Sequence, residues 1–231
     1  MAGHSQFSNI KHRKEAQDKK RAKEFTKLRR ELIVAARSGL PDPELNPRLR
    51  TAIAAAKRAG LPKDRIDNAI KSSAGNNVDD DYQEVRYEGY GPSNSAVIVE
   101  VLTNNRNRTA AELRFIFSRN GGRLGDVNHL FDHIGAIVYN HKSDELFDFA
   151  LESGAVDIIE EEKSSKIICD FKDFSRLRDL LYKEYGEPES ALIIWQAKSL
   201  LSLGEEEEDK IRKLMEALED NDDVQHVYCN I

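Results

Sequence analysis

From residue 134 onward the apolar residues of this chain fall into an order that few folds can satisfy. GAIVYN reads as a strand, Asp144 to Glu152 as a helix, and VDIIEEE and KIICDF as two strands around the turn Lys163-Ser164-Ser165. Asp173 to Tyr185 then reads as a second helix and ALIIWQAKSLL as a last strand. The strand segments are short, apolar and rich in β-branched residues, whereas the helical ones repeat their apolar positions every three or four residues. Strand-helix-strand-strand-helix-strand is the split βαβ or ferredoxin-like arrangement.

After that unit, EEEEDKIRKLMEALEDNDDVQHVYCNI supplies one more helix and strand, which need partners of their own. The four leading glutamates favour a helix N-terminus, where negative charge meets the positive end of the macrodipole. Earlier in the chain SAVIVEVLT, residues 95–103, reads as a buried strand, and the loop NNRNR leads into a helix. Thr109 with Glu112 three residues on is the pattern of a capping box, and Asn120-Gly121-Gly122 closes the helix. The stretch NNVDDDYQEVRYEGYGPSNS reads as linker and loop.

Residues 1–75 read as helical throughout. Phe25, Leu28, Leu32 and Ala36 form one helical face, ended by Gly39 with Pro41 and Pro43 beyond it. Asn46 before Pro47 starts a second helix with Leu49, Ala52, Ile53 and Ala56 inward. Gly60 ends it, and Pro62 opens a third with Ile66, Ala69 and Ile70 inward. The offsets also suit a helix-turn-helix, although any two packed helices joined by a Gly turn share them. The expected fold is therefore α+β and multidomain. An N-terminal all-α domain, 1–78, precedes two α+β domains, one inserted in the other. These are a discontinuous one, 79–131 plus 205–231, and a ferredoxin-like insert, 132–204.

Charge divides along the same line. The formal net charge is −6, yet residues 1–75 carry +10 and the remainder −16. A basic module on an acidic chain points to an anionic polymer as partner. Upstream of Ala22 the apolar stripe fades, so that arm lacks the means to bury itself. Lys11, His12, Arg13, Lys14, Lys19, Lys20, Arg21, Lys23 and Lys27 are candidates to neutralise phosphates, and Arg48, Arg50, Lys57, Arg58 and Lys63 extend the surface. The competing reading is a solvated helix face, but such faces intersperse acids, and Glu15, Asp18 and Glu24 do so only partly. Arg and Lys with few planar or amide side chains point to phosphate contact more than base reading.

A second candidate is the turn Tyr87-Glu88-Gly89-Tyr90-Gly91-Pro92 with Asn104-Asn105-Arg106-Asn107-Arg108. Tyr87 and Tyr90 offer stacking faces, while Asn104, Arg106, Asn107 and Arg108 approach a helix N-terminus that attracts anions. The alternative is a structural turn whose tyrosines pack on the sheet.

MAGHS, NIKHRK, AQDKKR and FTKL, then LRTAIAAAKRAGLPKD, YEGYGP, VEVLTNNRNRT, FSRNGGRLG and DDVQHVY, stand in the order in which the YebC/PmpR family carries its blocks. The chain resembles that family over essentially its whole length. The family includes the mitochondrial translational activator of cytochrome oxidase subunit one. The resemblance implies three domains, helical first, then two α+β with one inserted. It also implies a non-enzymatic regulator of gene expression: a probable DNA-binding transcriptional regulator or, from the mitochondrial branch, a translation factor that binds mRNA or the ribosome. Two departures stand out. Gln6-Phe7 replaces the usual Lys-Trp pair, and Asp126-Val127-Asn128-His129 is shorter than the usual Gly-Ser-Val segment, so no role of that loop carries over.

Other function classes find little support. His129 and His133 have helical spacing but no third ligand, Gly121-Gly122 with Gly125 lacks the Lys-Ser/Thr of a P-loop, and no G-x-S-x-G occurs. Cys169 and Cys229 sit in apolar strand-like runs and read as buried free thiols, which suits a cytoplasmic protein. No transmembrane run or signal peptide is read, no cofactor or metal is implied, and nothing selects an oligomeric state over a monomer.

Overall fold

The computed structural model describes residues 3–75 and 80–231, with side chains described from residue 18 onward except that of residue 19. The chain opens with α1 (Gly3–Ser38), α2 (Pro47–Arg58) and α3 (Lys63–Ser72). The α1 stripe packs against the other two helices through Leu32, Ile33, Ala35, Ala36, Leu49, Ala52, Ala56, Ile66 and Ala69. Ile33 and Ala35 widen the face because α1 takes α2 and α3 on adjoining sides. Asn46 caps α2: its side-chain oxygen accepts from the Leu49 N–H at 3.0 Å, and its amide donates to the Ala35 carbonyl at 2.7 Å. That one side chain thus starts α2 and fastens it to the end of α1.

A four-stranded sheet follows, ordered β3-β1-β2-β8, from β1 (Gln83–Tyr90), β2 (Ala96–Thr103), β3 (Arg123–Leu124) and β8 (Val224–Cys229). Helices α4 (Arg106–Arg119) and α7 (Glu205–Glu219) cover one face, where Val97, Val99, Val101, Leu113, Phe117, Leu214, Leu218 and Val224 form the core. Two readings are corrected here. Gln83–Tyr90 is a strand, not linker and loop; Val85, Tyr87 and Gly89 alternate toward the helices, and a Cβ on Gly89 would lie 2.7 Å from the Phe117 ring. The signal is faint because the position facing the largest core side chain must be glycine. Nor does Thr109 start α4: Asn105 does, accepting from the Arg108 N–H at 3.1 Å, and Thr109 is buried one turn in. The GGRLG turn likewise ends in the short strand β3.

Between β3 and α7 lies the second sheet, ordered β5-β6-β4-β7 with every neighbour antiparallel. It comprises β4 (Phe131–Tyr139), β5 (Asp157–Glu160), β6 (Ser165–Asp170) and β7 (Ser190–Ala197), with α5 (Asp144–Glu152) and α6 (Phe174–Tyr185) on one face. This is the ferredoxin-like order. Ile137, Leu146, Ile167, Phe174, Leu177 and Leu181 fill the layer between. His129 lies in a short 3-10 turn and His133 in β4, so their helical spacing is not realised. The end of this sheet packs on the helix-free face of the first through Phe131, Trp195, Ala96 and Ile98. There the Trp195 indole N–H donates to a Glu100 carboxylate oxygen at 2.9 Å.

Candidate nucleic-acid interface

The side chains of Lys11, His12, Arg13, Lys14 and Lys19 lie outside the described residues, although their backbone belongs to α1. From Lys20 the geometry is explicit. Lys20 is exposed, and the Arg21 guanidinium lies 5.1 Å from the centre of the Phe25 ring. Arg21 also reaches the turn between α2 and α3, where a Cβ on Gly60 would lie 3.0 Å from its Nη2. Gly60 adopts φ +77°, the left-handed region that only glycine enters freely, and so lets that guanidinium in. Lys57 in the last turn of α2 and Lys63 at the start of α3 flank the same turn, and both are exposed. Arg21, Lys57 and Lys63 therefore gather at one end of the helical layer.

Further along α1, the cations turn toward the rest of the chain. Lys23 pairs with the Asp220 carboxylate, and Lys27 donates to the Glu219 carbonyl at 2.7 Å. Burial pulls the Lys27 ammonium below its ordinary value, opposed by Glu219 and Asp222. Arg30 pairs with Asp223 at 2.9 Å. Arg48 binds Glu31 at 2.8 Å and also pairs with Glu84; burial opposes its charge, but those two carboxylates outweigh it and raise its pKa. Arg50 sits 4.4 Å over the Tyr182 ring, and Arg58 lies 3.9 Å from Glu189. Of the basic candidates whose side chains are described, Lys20, Arg21, Lys57 and Lys63 face solvent, and Lys23, Lys27, Arg48, Arg50 and Arg58 contact more distant parts of the chain.

The second candidate group does not form one loop. Arg106, Asn107 and Arg108 occupy the first turn of α4. Arg108 donates to Asp223 at 2.9 Å and to the Asn104 side-chain oxygen at 3.4 Å. The Tyr87 hydroxyl donates to the Arg106 carbonyl at 3.0 Å, and that of Tyr90 to the Asp126 carbonyl at 3.1 Å. Burial raises the Tyr87 pKa. Both hydroxyls thus bond backbone carbonyls of the chain itself.

Asp223 is the residue that sequence reading missed. It accepts from Arg30, from Arg108 and, at 2.5 Å, from the Thr109 hydroxyl, with its side chain 4% exposed. Burial pushes its carboxyl up, but the hydrogen bonds from Thr109 and Arg108 and the charges of Arg30 and Arg108 prevail and hold it below the ordinary range. The only hint in the sequence is an acid inside NDDVQHVY, where it reads as a surface turn.

Elsewhere the chemistry is quiet. Burial pushes the Cys169 and Cys229 thiols up to about 11, which keeps both protonated and unreactive at neutral pH. No cluster of metal-ligating side chains occurs among the described residues. Nor is any described helix long and apolar enough to cross a membrane.

This frame, a basic helical layer on two α+β sheets, matches known proteins throughout. Residues 5–76 match the TACO1/YebC protein N-terminal domain, and residues 82–231 the TACO1/YebC second and third domain. A "Probable transcriptional regulatory protein" of Wolbachia pipientis wMel is 55% identical, covering 100% of this chain and 97% of its own length. One of the same name from Anaplasma phagocytophilum (strain HZ) is 54% identical over 98% of each. A crystal structure of a conserved hypothetical protein from Aquifex aeolicus superposes with a TM-score of 0.80 at 42% identity, covering 91% of this chain and 89% of that one. The chain belongs to the TACO1/YebC family.

Proposed function

We propose that this protein is a non-enzymatic, cytoplasmic regulator of gene expression that binds DNA as a transcriptional regulator, gripping phosphates through its basic helical layer. The reading treats residues 1–78 as the binding domain, and 79–131 plus 205–231 and 132–204 as the two domains behind it. The observation that carries it is the meeting of Arg21, Lys57 and Lys63 around the Gly60 turn, next to exposed Lys20. Cations drawn from three helices to one end, while their neighbours on α1 are engaged in ion pairs and backbone hydrogen bonds, favour phosphate contact over a scattered solvated face. The names of the relatives from Wolbachia and Anaplasma support the regulatory part.

Replacing Lys20, Arg21, Lys57 and Lys63 with Gln tests it. In a salt titration of duplex binding, the slope of log affinity against log salt should shrink by about 3 to 4. An unchanged slope places the contact elsewhere. A second reading, a translation factor on the ribosome or mRNA, is favoured by the −16 carried beyond residue 75, which a bare duplex would repel. Sedimentation of lysate with and without ribonuclease separates the two. Ribonuclease-sensitive comigration with ribosomes supports the second, and a discrete promoter footprint that survives competitor DNA supports the first.

A further inference from the structure

The outer face of α4 carries a combination that neither the core nor the Asp223 cluster uses. Phe115 is 64% exposed, although a phenylalanine ring gains much by leaving water. Arg114 precedes it and Arg119 follows one turn on, both exposed. Among the described residues neither arginine has a carboxylate within ion-pair distance. Residues 106–123 hold five arginines and a single acid, Glu112, inside a segment of the chain that is otherwise strongly acidic. Glu112 is drawn away from Phe115: it accepts from the Asn221 amide at 2.8 Å and lies 4.0 Å from Arg108, both on the side of the turn before β8. A cation at a helix C-terminus accounts for Arg119 through the macrodipole, but that leaves Phe115 and Arg114 unexplained.

An exposed aromatic ring flanked by unpaired guanidinium groups is the arrangement that holds an unpaired nucleotide. The base stacks on the ring and the arginines take the phosphates on either side. We infer that Arg114, Phe115 and Arg119 form a second nucleic-acid contact, selective for single-stranded segments. A duplex offers phosphates to the arginines but keeps its base faces stacked and away from Phe115. The site extends the nucleic-acid reading above to a different surface and is separable from it, because it depends on no residue of the helical layer.

The test uses the full-length protein and fluorescence anisotropy with three probes: oligothymidylate, oligouridylate and a DNA duplex. Phe115→Ala should weaken single-strand binding about tenfold and change duplex binding less than about twofold. Arg114→Gln with Arg119→Gln should weaken single-strand binding and lower its salt slope by about 1 to 2. Loss on either single-stranded probe supports the site, and comparing the thymidine and uridine arms tells which sugar it accepts. Wild-type affinity of Phe115→Ala for both single strands overturns it, as does equal weakening on the duplex. Unfolding midpoints measured alongside show whether the variant is intact, and retained secondary structure is expected because Phe115 packs against little. If the Lys20, Arg21, Lys57 and Lys63 variant loses duplex binding while Phe115→Ala changes nothing, this inference alone fails. The opposite pattern leaves it standing without the helical-layer reading.

Discussion

The helical layer touches the rest of the molecule on two sides, and the two contacts are built differently. Toward the first sheet, Arg30 reaches a buried carboxylate that Arg108 and Thr109 also hold, with Arg29 on Asp80 and Arg37 on Asp81 beside it. Toward the ferredoxin-like unit, the side-chain pairs among the described residues are Arg50 over Tyr182 and Arg58 near Glu189, both half-open to water. Desolvated charge held by several donors is costly to disturb; solvated pairs are worth about 1 kcal/mol or less. The same residue types, arginine and carboxylate, thus make a fixed joint on one side and a light contact on the other.

The sharpest way to break the contrast is Asp223→Ala. It leaves Arg30, whose side chain is 12% exposed, and Arg108 without their anion, and is expected to cost about 3–5 kcal/mol in urea unfolding. A loss below about 1 kcal/mol would make the joint no stronger than the light contact. Acid is the next lever. A carboxyl held below its ordinary value of 3.8 stabilises the fold above that value and loses the contribution as pH falls through its depressed folded value. The wild-type unfolding midpoint should therefore drop as pH falls below that ordinary value, and Asp223→Asn should flatten that limb. A limb of equal steepness in the variant would assign it to other carboxylates. Smallest of all, Glu189→Gln combined with Tyr182→Ala should shift stability by about 1 kcal/mol or less. A larger loss would show that the second side is a joint as well.

What the sequence made legible follows the same distinction between local and distant causes. The ferredoxin-like order is readable because each of its strands and helices carries its own apolar period, and α2 because Asn46 and Pro47 mark its start within two residues. The strand β1 is obscured because its inward face is Val85, Tyr87 and then a glycine fitted to Phe117, which breaks the alternation just where it should be strongest. Asn105 outcompetes Thr109 as a cap because it comes first and bonds the Arg108 N–H, freeing the Thr109 hydroxyl for Asp223. Lys23, Lys27 and Arg30 look like Lys20 and Arg21 in any charge count. Their partners stand some 190 residues away, Glu219 being 192 positions beyond Lys27. No window on the sequence brings the two together, so which cations remain for a ligand is a tertiary fact.

The pairing of β8 with β2 bears on how the protein is made. Val97 faces Cys229 and Val99 faces Val227, so the first sheet gains its fourth strand from residues synthesised long after the other three. Asn230 tightens the seam, accepting from the Ala96 N–H at 2.8 Å. A nascent chain can finish the ferredoxin-like unit while β2 still shows an open edge and unpaired amides to its surroundings. Closure of that edge also brings the 219–223 turn, and with it Asp223, to Arg30. Emergence of the last strand is then the event that completes the joint: a chain stalled before it would hold its helical layer through Asp80, Asp81, Glu84 and the light contact on the other side, but without Asp223 beneath Arg30.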